Sequence, residues 1–244
     1  MYLDPMLAIS PAVVADLAPT GVLRAGINLG NPVLAQGTLA QPAGVTVDIA
    51  SEVASRLDLP VEFVCFTAAR DSFEALMTGQ ADICFLAIEP ARETEVAFTA
   101  PYVLIEGVFA VPSQSELATV DDVDSPGVRI GVKRGSAYDL FLSRTLRNAT
   151  VVRGAEGTEV FLTQHLEAAA GIRQLITEFV DAHSGVRLIS RPFMDIRQAV
   201  GTAKTMRPET TRFLHGLIEE LKVTGFVAGS LRRSGQSVAV APPA

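Results

Sequence analysis

The sequence predicts an α/β fold built around a parallel sheet, and two observations support that prediction. Short apolar runs of strand length alternate with amphipathic segments of helical length along most of the chain. Such alternation is typical of βαβ units, in which each helix returns the chain to start a parallel neighbour. The run at residues 83–88 is apolar on both faces, as a buried central strand of a parallel sheet must be.

The first part of the chain predicts three strands separated by helices. Ser10 and Pro11 suit the N-cap and first turn of a short helix, which ends by Gly21. The predicted strands are residues 22–27, 61–66 and 83–88, and the predicted helices are residues 51–57 and 72–79.

The second part repeats this alternation after a long apolar run. Residues 103–111 contain no turn signal before Pro112, which predicts a strand that leaves one unit and enters the next. Further strands are predicted at 128–132, 151–152 and 186–189, helices at 139–146, 158–166 and 210–223, and a return crossing at 193–200.

Composition argues against several classes of protein. The net charge is −7 and no basic cluster occurs, so nucleic acid is not an expected partner. The apolar stretches are too short for membrane insertion. The three histidines are scattered and no nucleotide-binding motif is present, so neither a metal nor a cofactor is expected. Cys65 and Cys84 lie in apolar runs and are predicted to be buried thiols.

The N-terminal segment bears on localisation. Residues 1–19 contain no Lys or Arg, and a secretory signal needs a basic start. This favours a cytoplasmic protein, and a periplasmic one is expected instead if a signal preceded this sequence.

Arg92 is the residue that most directly suggests chemistry. The apolar run 83–88 stops at Glu89 and Pro90, and Arg92 follows at the carboxyl end of the predicted strand. In open α/β sheets ligands bind at that end, and a guanidinium can hold a carboxylate through two parallel hydrogen bonds. The alternative is a solvated surface arginine at the start of a loop.

The residues after Arg92 carry a resemblance to a known family. An apolar strand, then Pro-x-Arg, then Phe-Thr-Ala-Pro-Tyr at residues 98–102 resembles the extracellular solute-binding proteins of family 3, which serve polar amino-acid ABC transporters. The resemblance covers about residues 21–234. It implies a two-lobed, type II periplasmic-binding-protein fold with a small-molecule ligand in the cleft between the lobes. It also implies an ABC-transporter permease as partner of an exported form.

The same resemblance implies lobe boundaries. Residues 1–110 together with 196–244 would form the first lobe, and residues 111–195 the inserted second lobe. Two hinge crossings are expected, near 106–112 and 193–199.

The resemblance also implies a carboxylate clamp and shows departures at the ammonium end. Arg92 with the turn at Gly135 and Ser136 would bind the carboxylate, since a helix N-terminus favours anions. At the positions that would face an ammonium group or neighbour it, the chain has the neutral residues Asn28, Asn31 and Ala87, and it has Gly171-Ile172 where the family shows an aspartate before Arg173. Glu89 could replace the missing acid if it points into the cleft.

These departures predict a carboxylate-bearing solute without an ammonium group, with two acidic groups if Arg173 also faces inward. The expected function is non-catalytic binding, as a transport receptor or a sensor. The alternative is a cyclohexadienyl dehydratase-like lyase acting on prephenate or arogenate, in which Arg92 and Arg173 clamp the substrate and Glu89 or Asp139 supplies the proton.

Overall fold

A computed structural model describes residues 9–244 of the protein. Its strands are β1 Leu23–Asn28, β2 Gln36–Gly37, β3 Pro42–Ala43, β4 Val61–Phe66, β5 Ile83–Ala87, β6 Val96–Phe98, β7 Val103–Pro112, β8 Arg129–Lys133, β9 Thr150–Gly154, β10 Ala168–Ile172, β11 Val186–Ala203 and β12 Ala239–Val240. Its helices are α1 Pro11–Leu17, α2 Val45–Arg56, α3 Ala69–Met77, α4 Pro90–Glu93, α5 Val120–Val123, α6 Ala137–Thr145, α7 Gly157–Thr163, α8 Arg173–Ala182, α9 Pro208–Val223 and α10 Phe226–Arg233.

Ten of these strands form one mixed sheet, in the order β4-β1-β5-β11-β7-β10-β8-β9, with β6 beside β11 and β12 beside β7. At one end β1 pairs in parallel with both β4 and β5. At the other end β8 pairs in parallel with both β9 and β10. The predicted α/β class with parallel strands is therefore confirmed in both halves of the chain.

Helix α2 begins six residues before the predicted helix, at Val45 instead of residue 51. The β-branched run at its start has low helix propensity. However, Val45, Ile49 and Val53 follow one another at four-residue spacing and are fully buried. Burial of this apolar stripe outweighs the propensity, because packing supplies most of the stability of a helix in a protein.

Two long antiparallel strands, β7 and β11, join the two halves. The sequence predicted two separate segments at 186–189 and 193–200, whereas β11 is one strand with a register shift between Ile189 and Met194. Pro192 lies at that shift, and proline has no N–H group for the ladder. The interruption that suggested two segments is thus a local irregularity within one strand.

The hydrophobic core changes along these two strands. Ile105 and Ile196 belong to a core formed with β1, β5 and α9, whereas Phe109 and Ile189 belong to a core formed with β8 and α6. This change supports, as a proposal, the lobe boundaries expected from the sequence, although residues 1–8 of the first lobe lie outside the described part.

The two cysteines are free thiols. Cys84 is fully buried, and burial raises its pKa to about 12. Cys65 is only half-buried, so the prediction of a buried thiol is wrong at that position. In the part of the chain that the structure describes, no helix is both long enough and apolar enough to span a membrane.

Gly131 provides a test of packing between β8 and α7. A Cβ atom at this position would overlap the carbonyl oxygen of Gly157 and lie 3.0 Å from Cγ2 of Val160. Gly131→Ala is expected to lower the free energy of unfolding by about 1–3 kcal/mol, measured by urea denaturation.

The matched control is Gly216→Ala in α9, where a Cβ atom would meet nothing within 4 Å. There, removal of a helical glycine is expected to stabilise the protein by up to about 1 kcal/mol. Equal effects of the two substitutions would contradict the packing of α7 on β8.

Candidate ligand-binding site

A cavity of about 60 Å³ lies between the two lobes. The first lobe contributes the loop after β1, the end of β5 and helix α4. The second lobe contributes the loop after β8, the start of α6, Ile172 at the end of β10 and Leu175 in α8. Ile196 and Gln198 line it from the crossing strand β11. The cavity therefore lies at the carboxyl ends of parallel strands from both lobes, where α/β proteins place their ligands.

Arg92 faces this cavity from α4 and is only 4% exposed. Pro90 fills the first turn of that short helix, which turns Arg92 back under the end of β5. Its Nη1 donates to the carbonyl oxygen of Ala87 at 3.1 Å, and its Nη2 donates to that of Gly135 at 3.0 Å. Burial lowers the pKa of Arg92 from its ordinary value. The alternative of a solvated surface arginine is therefore wrong.

Arg92 forms no ion pair with any carboxylate of residues 9–244. Its two hydrogen bonds to carbonyl oxygens leave the other N–H donors of the guanidinium without an acceptor in this same described part of the chain. Burial of this cation costs free energy of desolvation, because neither water nor an opposite charge compensates it. An anion in the cavity would provide both the charge and the acceptors.

The turn at Gly135 and Ser136 is next to Arg92 but is not arranged as the sequence predicted. The N–H of Gly135 donates to the carboxylate of Asp139, and the N–H of Ser136 donates to the carbonyl of Lys133. The Ser136 hydroxyl accepts from the N–H of Asp139 and so caps α6. The expectation that these two backbone N–H groups bind the ligand is corrected, because both already have acceptors.

The N–H groups available at this helix are those of the next two residues. Ala137 and Tyr138 start α6 and line the cavity. Their N–H groups have no acceptor among residues 9–244, as is usual in the first turn of a helix. The N–H groups of α6 that could bind an anion therefore lie two residues further along the chain than predicted.

Asn28 and Asn31 both line the cavity, as predicted. The Oδ1 of Asn28 accepts from the N–H of Gly30 at 3.0 Å, and the Oδ1 of Asn31 accepts from the N–H of Val33 at 3.2 Å. These Asx turns occupy the side-chain oxygens and leave the NH₂ groups as donors. The two asparagines therefore add hydrogen-bond donors to the site.

No Asp or Glu is among the described residues that line the cavity. Ala87 and Ile172 line it at two of the positions where the sequence departs from the family. Glu89, the suggested replacement acid, is buried but does not line the cavity. That suggestion is corrected, because the Glu89 carboxylate accepts from Nη1 of Arg144 at 2.8 Å.

The Glu89–Arg144 pair joins the lobes. Glu89 lies at the start of α4 in the first lobe, and Arg144 lies in the last turn of α6 in the second. The Glu89 side chain is 4% exposed and that of Arg144 is 45% exposed. Together with the Arg92–Gly135 hydrogen bond, this ion pair holds the two lobes against each other.

Arg173 does not line the cavity. Its side chain forms an ion pair with Glu106 of β7, and its Nη2 donates to the carbonyl oxygen of Ser190 at 2.6 Å. The suggestion that Arg173 faces into the cleft is corrected. Instead it binds α8 to both crossing strands.

Sequence analysis missed five polar residues of the lining: Lys133, Arg134, Tyr138, Gln198 and Thr46. The first three belong to the same loop and helix start as Gly135 and Ser136, so their position after β8 was a usable signal. Burial raises the pKa of the Tyr138 hydroxyl above its ordinary value. Gln198 could not be found in this way, because it faces the site from a strand interior.

Comparisons with known proteins identify the family and the fold. The model of the bacterial extracellular solute-binding proteins, family 3, matches residues 23–230. The chain belongs to this family. Its two-lobed fold and the resemblance seen in the sequence are thereby confirmed. A search of curated proteins finds no match.

Solved structures of this fold include a mutant of ArgBP from T. maritima, with a TM-score of 0.73, 21% identity, and 91% of this chain and 99% of that chain covered. An ancestral amino acid-binding protein, a precursor of cyclohexadienyl dehydratase, has a TM-score of 0.73 and 20% identity over 91% and 98% of the two chains. A putative ABC-transporter binding component from Wolinella succinogenes, complexed with lysine, has a TM-score of 0.72 and 18% identity over 88% and 95%. At these identities the likeness shows the fold.

The ion pair between the lobes generates a prediction about closure. Arg144→Gln leaves the buried Glu89 carboxylate without its partner, which should favour the open form by about 1–3 kcal/mol. The radius of gyration of the ligand-free protein, measured by small-angle X-ray scattering, is expected to increase.

Arg147→Gln is the matched control, because Arg147 follows α6, is exposed and has no side-chain ion pair among residues 9–244. An unchanged radius in Arg144→Gln, equal to that of the control, would show that this pair does not hold the lobes together.

Proposed function

We propose that this protein binds a small carboxylate-bearing solute between its lobes, without catalysis, and that the lobes close around it by hinge motion at β7 and β11. The observation that carries the proposal is Arg92, a guanidinium that is 4% exposed, faces the cavity and lacks a carboxylate partner within residues 9–244. A bound carboxylate would accept the remaining N–H donors of Arg92 through charge-assisted hydrogen bonds.

The donors around Arg92 support an anionic ligand. The NH₂ groups of Asn28 and Asn31 and the N–H groups of Ala137 and Tyr138 belong to residues that line the same cavity. The oxygens of both asparagines already accept hydrogen bonds in turns, and no carboxylate among residues 9–244 lines the cavity. An ammonium group would therefore be buried without an opposite charge, with only neutral oxygens as acceptors, at a cost of several kcal/mol. The proposed ligand is an organic anion that lacks this group.

The lyase alternative receives no support from the site. Its proton donor was to be Glu89 or Asp139, but Glu89 is paired with Arg144. Asp139 accepts from the N–H of Gly135, from Ser143 and from Arg153. Neither carboxyl lines the cavity, so neither is placed to protonate a leaving hydroxyl.

The family sets the biological context of the proposal. It consists of extracellular proteins, and two of the structural neighbours are ABC-transporter components. This favours an exported setting, with an ABC-transporter permease as partner, over the cytoplasmic setting expected from residues 1–19. The expectation for those residues rests partly on residues 1–8, which lie outside the described part.

Arg92→Ala tests the anchor. Loss of the guanidinium is expected to weaken binding of a carboxylate ligand, found by a thermal-shift screen of organic acids, by about 2–5 kcal/mol in calorimetry. Arg92→Lys should recover only part of this, because an ammonium cannot form the two parallel hydrogen bonds. The control is Arg232→Ala on α10, far from the cavity in the first lobe. Unchanged affinity in Arg92→Ala would remove Arg92 from the site.

A paired titration tests the preference for anions without an ammonium group. An amino acid and its deaminated analogue, such as alanine and propanoate, differ only in the ammonium group. The deaminated acid is expected to bind more tightly in calorimetry. Tighter binding of the amino acid would contradict the proposal and indicate an ammonium partner outside the present lining.

A further inference from the structure

A larger chamber of about 500 Å³ lies next to the cavity around Arg92. Lys133, Arg134 and Tyr138 line both spaces, as do Gly30 and Leu175. A ligand held at one end by Arg92 would therefore reach the chamber by passing Lys133 and Arg134.

The charges along this path are unbalanced. The lining of the chamber includes Arg70, Lys133 and Arg134, with Asp71 and Glu156 as the acids. Arg70 pairs with Asp71 at 3.0 Å, and Lys133 pairs with Glu156 at 2.6 Å. These two pairs neutralise two of the cations.

Arg134 is the remaining cation, and its side chain is exposed. This side chain forms neither an ion pair nor a hydrogen bond within the described residues 9–244. Its backbone N–H donates to the carbonyl oxygen of Gly154 at 3.0 Å. Arg134 thus presents a solvated, unpaired guanidinium that lines both the cavity and the chamber.

We infer that Lys133 and Arg134 form a second anion subsite and that the solute is a dicarboxylate. This inference rests on the proposed function of the Arg92 site. One carboxylate binds at Arg92 and the first turn of α6. The other binds at Arg134, with Lys133 beside it. One charge of the ligand would pair with the buried Arg92 and the other with the exposed Arg134, whereas a monocarboxylate leaves Arg134 to water.

The position of this subsite differs from the one that the sequence suggested. There the second cation was Arg173, whose charge is already neutralised by Glu106. Arg134 lines both spaces instead, from the loop that also contains Gly135 and Ser136. The distance between the two subsites determines which length of dicarboxylate fits. Affinity across a series of dicarboxylates should therefore show one optimum length.

Calorimetric titration at low ionic strength tests the inference, because exposed charges are screened by salt. The probes are malonate, succinate, glutarate and adipate, each compared with the monocarboxylate of equal chain length. The best dicarboxylate is expected to bind about tenfold or more tightly than its monocarboxylate, as expected for a hydrogen-bonded ion pair.

Three variants and one control test which residues cause the preference for the dicarboxylate over its monocarboxylate. Arg134→Gln should reduce this preference to within about threefold, because it weakens binding of the dicarboxylate more than binding of the monocarboxylate, and Lys133→Gln should reduce the preference less. Glu156→Gln should increase the affinity for the dicarboxylate, because it releases Lys133 from its ion pair. Arg212→Gln on α9, exposed and outside both spaces, should change nothing.

The outcomes separate this inference from the proposed function. If each dicarboxylate binds no better than its monocarboxylate, the second subsite is wrong and the Arg92 site stands. A preference that persists in Arg134→Gln also overturns the subsite alone. If none of the acids binds, both the subsite and the proposed function fall.

Discussion

A buried guanidinium without a carboxylate partner is the constraint on which the site of this protein depends. Arg92 is 4% exposed, and its two hydrogen bonds go to the carbonyl oxygens of Ala87 and Gly135. Carbonyl oxygens supply partial charge but do not neutralise a cation, so the arrangement retains much of the cost of desolvation. The fold tolerates this because α4 and the end of β5 enclose the side chain. A ligand anion would offset this cost, so a feature that destabilises the ligand-free protein would favour binding.

This constraint also links binding to the relation between the lobes. One acceptor of Arg92, Gly135, belongs to the second lobe, while Arg92 belongs to the first. The Glu89–Arg144 pair crosses the same boundary, and β7 and β11 form the continuous connection beneath it. A ligand shifts an equilibrium between open and closed forms only through contacts that differ between them. In the proposed binding mode those contacts are concentrated at Arg92 and the first turn of α6, so carboxylate binding and closure would depend on the same atoms.

Local signals in the sequence were sufficient for the fold class and for the position of Arg92. Apolar runs, Pro90 and the residues at 98–102 act over a few positions and can be read without a structure. The errors involve partners that the chain brings together from a distance. Glu89 finds Arg144, which is 55 residues away, and Arg173 finds Glu106, 67 residues away. Gly135 is the exception, because Asp139 lies four residues on, and the capping pattern Ser-x-x-Asp was available in the sequence.

The site would bind an ammonium group poorly without any repulsive contact, because several polar side chains of the lining already form hydrogen bonds within the protein. The oxygens of Asn28 and Asn31 accept from backbone N–H groups within their own turns. The Thr46 hydroxyl, also at the cavity, donates to the carbonyl of Leu34. Such short-range bonds fix side-chain orientation before any ligand arrives, and specificity depends on the groups that competing ligands leave unpaired. An asparagine in place of an acid still offers an oxygen to an ammonium group, but when that oxygen already accepts a hydrogen bond in a turn, only its second lone pair and its fixed direction remain for the ligand. In the proposed binding mode, the loop after β1 would therefore favour an anion through its backbone conformation as much as through its composition.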